Sequence, residues 1–225
     1  MRWIAIAFLG LCGCGDDDGN GSDGPDADAD TDADADVDTD ADTDTGTEGN
    51  GFHLGTFSLQ TYSVPFEGDY PGDPDTPLPS CGAGEPVATV PADFVTAMEA
   101  ATVGKLLDGR IVIPAGGCYD VSATEWGAGT QGRPRAIYRS AAAHPSDVAI
   151  DRWIWIPQMD GVTLPGDADG VHDGCVRLDD ERDDVESRWF SIFIGLQSRR
   201  EEVEALLGAE IDAYQDSPEC FGWEG

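Results

Sequence analysis

A mainly β domain is predicted for residues 52–225, behind an N-terminal region with no core-forming pattern. Three observations carry that expectation. Runs rich in β-branched and aromatic residues, at 148–156, 175–178 and 189–194, are separated by Gly, Asp and Pro turn chemistry. Phe57, Leu59 and Thr61 alternate with polar neighbours, which is the two-residue period of a half-buried strand. Apolar residues at helical spacing occur in two short stretches, after Pro91 and after Ser198. A span of this length can bury one real core.

The chain opens on an export signal. Met1-Arg2 precedes an apolar run from Trp3 to Leu11, too short to span a bilayer as a helix. Leu11-Cys12-Gly13-Cys14 resembles a lipobox, with Cys14 as the lipidated residue. Cys12 is the poorer candidate, because bulky Leu11 would occupy the cleavage position. Residues 1–13 are thus expected to be a lipoprotein signal peptide, and 14–51 a lipidated cysteine followed by a linker. A fully acylated Cys14 would anchor the protein stably to a membrane. Gly15, rather than Asp, follows it, which points to the outer membrane, facing the periplasm or the cell surface.

Residues 15–50 hold fourteen Asp, one Glu and no Lys or Arg. Fifteen units of the chain's net charge of −33 lie in this stretch. Like charges with nothing to bury are expected to stay disordered and extended. The D-x-D alternation lacks the Gly and the closing Glu of an EF-hand-type Ca²⁺ loop. The domain that follows is also acidic. It has no basic stripe to displace counterions, which argues against nucleic acid as a partner.

Within the domain, Phe52–Val64 reads as a first strand pair. Residues 67–85, dense in Gly, Pro and Asp, read as a loop. A short strand at 87–90 leads to Pro91, which fits a first helical turn, with Phe94, Val95, Met98 and Ala101 as the apolar face. Ile111–Pro114 is a further strand. Residues 126–135 form a long loop with tight-turn glycines, Trp126 and the cations Arg133 and Arg135. Those are the residue types of a saccharide subsite, and equally of a plain surface loop. Ser198-Arg199-Arg200-Glu201 has capping-box spacing, Val203, Leu206 and Leu207 follow at helical intervals, and residues 209–214 are read as a possible continuation past Gly208.

Four cysteines fall in the domain: Cys81, Cys118, Cys175 and Cys220. An even count in an exported domain favours two disulfides, for which three connectivities exist. No C-x-x-C pair and no H-E-x-x-H motif is present, so neither a metal site nor a cofactor is expected. His172-Asp173 has no G-x-S-x-G beside it and reads as turn sequence.

The stretch A-I-D-R…I-P, L-P, H-D-G-C-V-R-L-D-D and F-S-I-F-I-G resembles the three-aspartate (3D) domain. That domain is the catalytic barrel of the membrane-bound lytic transglycosylase A family. The likeness covers roughly residues 54–195. It implies a six-stranded, double-psi-type β-barrel with one or two peripheral helices. In the family a first Asp lies in A-V-D-x-x-x-I-P, a second heads D-x-G-G, and a third follows eleven residues on. Asp151 matches the first and Asp180 the second. The third position is Ser191, and Glu181, Arg182 and Asp183 replace the residues after the second Asp. On such a barrel the expected disulfides are Cys81–Cys118 and Cys175–Cys220, each tying a loop or tail down.

The resemblance implies peptidoglycan glycan strands as partner, and cleavage between N-acetylmuramic acid and N-acetylglucosamine. One acid protonates the leaving oxygen. The same group then takes a proton from the 6-hydroxyl that closes a 1,6-anhydro ring. It must be neutral first and basic second. In the family that role falls at the third position, where Ser191 offers only a hydroxyl. Asp151, Asp180 and Ser191 are expected to converge at one groove. Three readings follow: an enzyme whose acid has moved to Asp180, Asp183 or Asp184; a glycan binder without activity; or an envelope module that binds protein.

Overall fold

The computed structural model describes residues 50–222, apart from 83, 168–169 and 184–186. The expected export signal with Cys14, the expected linker up to residue 49, Asp184 and Trp223 lie outside the described residues.

Strand β1 (Phe52–Val64) is one continuous strand of 13 residues, where a strand pair was expected. Its apolar residues Phe57 and Leu59 turn inward, and Tyr62 and Val64 pack on the opposite side. The chain then leaves on an excursion. It builds β2 (Thr76–Leu78), β3 (Ala88–Val90), helix α1 (Ala92–Ala101), β4 (Gly104–Lys105), β5 (Ile111–Pro114) and β6 (Tyr119–Ser122). It returns through β7 (Ser140–Ala143), β8 (Trp153–Asp160), β9 (Asp173–Glu181) and β10 (Trp189–Leu196). Helix α2 (Arg200–Leu207) and β11 (Glu210–Gln215) complete it.

Six strands close into a barrel in the order β1-β10-β7-β9-β8-β11. The pairs β1·β10 and β7·β9 are parallel, and the other four are antiparallel. The fold is therefore mainly β: a closed six-stranded barrel with two short helices. Alternate residues fill the interior: Ile154 and Ile156, Val176 and Leu178, Phe190, Ile192 and Ile194, Ile211 and Ala213. Each buried Ile, Val, Leu or Phe of this set contributes about 1.5–3 kcal/mol. The excursion has its own small core of Leu78, Val90, Phe94, Met98, Leu106 and Val112. Val103, Ile111 and Trp126 from the excursion pack on Val64 and Phe193, which holds it against the barrel's outer side.

Several boundaries differ from the expected ones, each for a local reason. Residues 148–152 turn instead of extending. The Val148 N–H donates back to the His144 carbonyl, and Asp151 sits at φ +69°. Strand β9 runs on past the 175–178 run, through Asp179 and Asp180 to Glu181. The loop expected at 67–85 contains β2. Strand β7 is a Ser-Ala-Ala-Ala run with no β-branched residue, and it is a strand because β10 and β9 pair with it on both sides. Residues 209–214 do not continue the helix. Gly208, at φ +81°, ends α2, and Ile211 and Ala213 then alternate inward as strand β11. Ser198 does not cap α2. Gln197–Arg199 form a 3₁₀ turn, and Arg199 takes the N-cap position without a side-chain bond.

Disulfides join Cys81 to Cys118 and Cys175 to Cys220. The first lies in the excursion, and the second ties the C-terminal tail to β9. No helix among the described residues is long and apolar enough to cross a membrane.

Candidate functional site

The site is built on a bulge in β9. Ala141 of β7 stands opposite Leu178, but the next residue, Ala142, stands opposite Asp180. The extra residue breaks the in–out alternation of β9 at Asp179 and Asp180.

Asp179 is fully buried. The Ser140 hydroxyl donates to its Oδ2, and Arg177 Nε donates to Oδ1 at 2.6 Å. Its carbonyl accepts the Thr130 N–H at 2.9 Å. Gly129 crosses this carbonyl so closely that a Cβ there would overlap its oxygen. The long loop before β7 is thereby laid flat over β9.

Asp180 accepts three donors. Arg135 forks onto it, Nη2 to Oδ1 at 2.9 Å and Nε to Oδ2 at 2.8 Å. The Tyr62 hydroxyl donates to Oδ2 at 2.8 Å. The Arg135 and Asp180 side chains are only 15% and 12% exposed, so this is a largely desolvated, bidentate pair. Burial, and then the Asp180 carboxylate, push the Tyr62 hydroxyl well above the ordinary phenol range. Burial alone would lower the Arg135 pKa, but the bonds and charge of Asp180 more than offset it, and the net shift is upward.

Arg133 of the same loop reaches Asp151 Oδ2 at 3.1 Å. Both loop cations that could have faced a sugar are thus committed to aspartates. The loop acts as a clamp over β9, with each arginine on one carboxylate.

Asp180 and Ser191 stand on one rung. Ser191 pairs with Ala142, Ala142 with Asp180, and Gln60 of β1 pairs with Ser191 from the other side. Ser191 is 2% exposed. Asp151 does not join them. Its N–H donates to the Leu178 carbonyl on the opposite flank of β9, and its side chain lines a separate cavity of about 150 Å³ with Trp153, Asp216 and Phe221. Asp151 Oδ1 is buried with no hydrogen-bond partner among the described residues. Asp183 is exposed in the turn after β9.

Beside the Asp180 cluster lies a cavity of about 310 Å³, lined by Tyr62, Val64, Val103, Arg135, Arg182 and Phe193. Tyr62 and Phe193 are in ring contact at 5.2 Å, and Trp126 and Phe193 at 5.9 Å. Phe193 is fully buried and Trp126 nearly so, which leaves Tyr62 as the ring that borders the groove, with Arg135 and Arg182 as its guanidinia. Tyr62 and Ser140 were missed as site residues, whereas Asp179 stood out with Asp180 as a carboxylate at a strand edge. Tyr62 had one signal: it sits one position off the inward Phe57–Leu59 alternation. Among the described residues, no group of three or more His, Cys, Asp or Glu is placed to hold a metal ion.

No family model matches the chain, and no curated protein matches it. Solved structures do. MltA from E. coli is 10% identical over 72% of this chain and 73% of its own, with a TM-score of 0.46. E. coli MltA with bound chitohexaose is 10% identical over 72% of each chain, with a TM-score of 0.47. The lytic transglycosylase LtgG of Burkholderia pseudomallei is 12% identical over 71% of each, with a TM-score of 0.40.

Proposed function

We propose that this chain is an exported envelope lipoprotein whose barrel binds peptidoglycan glycan strands without cleaving them. The observation that carries the reading is the state of Asp180. Both of its oxygens already accept donors, three in all, from Arg135 and Tyr62. That arrangement suits an acceptor, and a group that must give up a proton to a glycosidic oxygen needs the opposite. One rung across, where the resemblance puts the acid/base, Ser191 supplies a buried hydroxyl. Loss of a general acid typically removes about 10²–10⁴-fold of rate. The neighbouring 310 Å³ cavity lies in the size range of small-ligand sites. Tyr62 borders it with a partly exposed ring, and Arg182 brings a guanidinium to it.

The test uses purified protein and intact sacculi. The protein should sediment with sacculi, while mass spectrometry of the soluble fraction finds no anhydromuropeptide. Arg182→Ala should reduce sedimentation. Robust anhydro product from the wild type, lost in Asp180→Asn, would overturn the reading in favour of a relocated acid. In the same reading Cys14 carries the lipid and the acidic stretch is a spacer on the outer membrane. Cys14→Ser should then move the protein into the soluble fraction, and its retention on membranes would remove the anchor.

A further inference from the structure

We infer that the cavity on the far side of Arg135 is a subsite for a short zwitterionic peptide, of the kind that peptidoglycan carries on its muramic acid. The inference deepens the glycan-binding reading and rests on it for the identity of the ligand.

The cavity measures about 410 Å³. Trp126 and Ile137 form its apolar wall, Glu125 and Asp167 contribute carboxylates, and Arg139 and Arg199 contribute guanidinia. Arg135 lines both this cavity and the groove beside Asp180. Arg135 is thus the side chain that the two spaces share.

The charges decide what fits. The chain has only 12 basic residues against 45 acidic ones, yet three of the 12 line this one cavity. A fourth, Lys105, lies 3.5 Å from the centroid of the Trp126 ring. Burial lowers the Lys105 pKa, with Glu125's charge opposing that shift and Arg199's reinforcing it, so these three groups feel one another across the wall. A ligand with only negative charge would meet Glu125 and Asp167. One with only positive charge would meet the arginines. A ligand with an ammonium and a carboxylate on an apolar stem matches both signs and the Trp126–Ile137 wall.

The cationic side is also built in place. Arg199 donates to the Ile194 carbonyl at 3.3 Å, and Gly166 packs so closely that a Cβ there would lie 2.8 Å from Nη2. Arg139 is held by Asp173. Fixed guanidinia lose little entropy when a carboxylate arrives.

The experiment is titration calorimetry of the full chain with three ligands: glycan strands stripped of peptide, the same strands with peptide, and the free peptide with its amine and carboxylates intact. Peptide-bearing strands should bind about tenfold tighter than stripped ones. Glu125→Gln, at an exposed position, and Arg199→Gln should each remove most of that gain and leave stripped-strand binding unchanged. Acetylating the peptide amine should have the same effect as Glu125→Gln. Equal affinity with and without peptide, or a gain that survives both substitutions, overturns the inference and leaves the glycan reading intact. Binding of free peptide without binding of stripped strands sinks the glycan reading and upholds the subsite.

Discussion

Asp180 and Arg135 depend on each other more than their position near a groove suggests. Removing the carboxylate leaves a guanidinium with little access to water. Asp180→Ala is therefore expected to cost about 3–5 kcal/mol, the range for breaking one side of a buried pair. Tyr62→Phe removes one donor and should cost only about 1 kcal/mol. Urea unfolding of the two variants measures the contrast, and equal costs would mean that the pair is solvated in practice.

His172 gives a second test at this scale. Its Nδ1 accepts the Gly174 N–H at 2.9 Å, and its Nε2 lies 2.9 Å from the Tyr138 carbonyl, which makes it a neutral Nε2–H tautomer. Burial and then the charge of Arg139 lower its pKa, outweighing Tyr138's carbonyl, Asp173 and Asp167, which act the other way. The unfolded chain therefore takes up a proton first as pH falls below about 6.5. The stability is whole above that pH and declines below it, down to the depressed native value. Urea midpoints at pH 7 and pH 5.5 should differ more for wild type than for His172→Gln.

Asp180 stood out in the sequence through the family resemblance and as a carboxylate at the edge of a β-branched run. Its partners were not, because Tyr62 lies 118 residues away and Arg135 45 residues away, and no local pattern joins them.

At the scale of elements, the loop from Gly127 to Ala136 decides what the site can do. The sequence showed its glycines and cations but not where they went, since a loop's direction is set by what it lands on. Gly129 is the point of contact. Gly129→Ala would push the loop off the Asp179 carbonyl, with an expected cost above about 2 kcal/mol. Hydrogen exchange at the Thr130 amide should quicken sharply, because that N–H loses its acceptor. Protection unchanged from wild type would show that the loop is held elsewhere. The strands divided in the same way. Trp189–Leu196 was readable from its own β-branched and aromatic run, whereas Ser140–Ala143 was not, because alanines fit any element and only their neighbours choose. Residues 209–214 misled because Ile211 and Ala213 fit a two-residue period as easily as a continued helix.

For the whole molecule, the two disulfides work on different bodies. Cys81–Cys118 spans 37 residues of the excursion, and Cys175–Cys220 spans 45 and pins the tail to β9. By loop entropy each is worth about 4 kcal/mol. Loss of Cys175–Cys220 should lower the melting temperature of the barrel. Loss of Cys81–Cys118 should loosen the excursion first, visible as exchange of the amides around Phe94 and Val112 before those of β10. Simultaneous loss of protection in both regions would show a single cooperative unit.

Strand β11 stands between β1 and β8 and closes the barrel. Thr56 and Asp212, neighbours in that last seam, are 156 residues apart in the chain. A polypeptide that appears N-terminus first must therefore carry β1 unpaired on that side until β11 has been made. Such long-range closure is slow, on the order of milliseconds to seconds. Until it happens, two strand edges expose bare amide and carbonyl groups to any other chain nearby. A nonsense mutation between Leu196 and Glu210 would make that state permanent, and its product should be found in aggregates or in the hands of a chaperone rather than as a shortened, working protein.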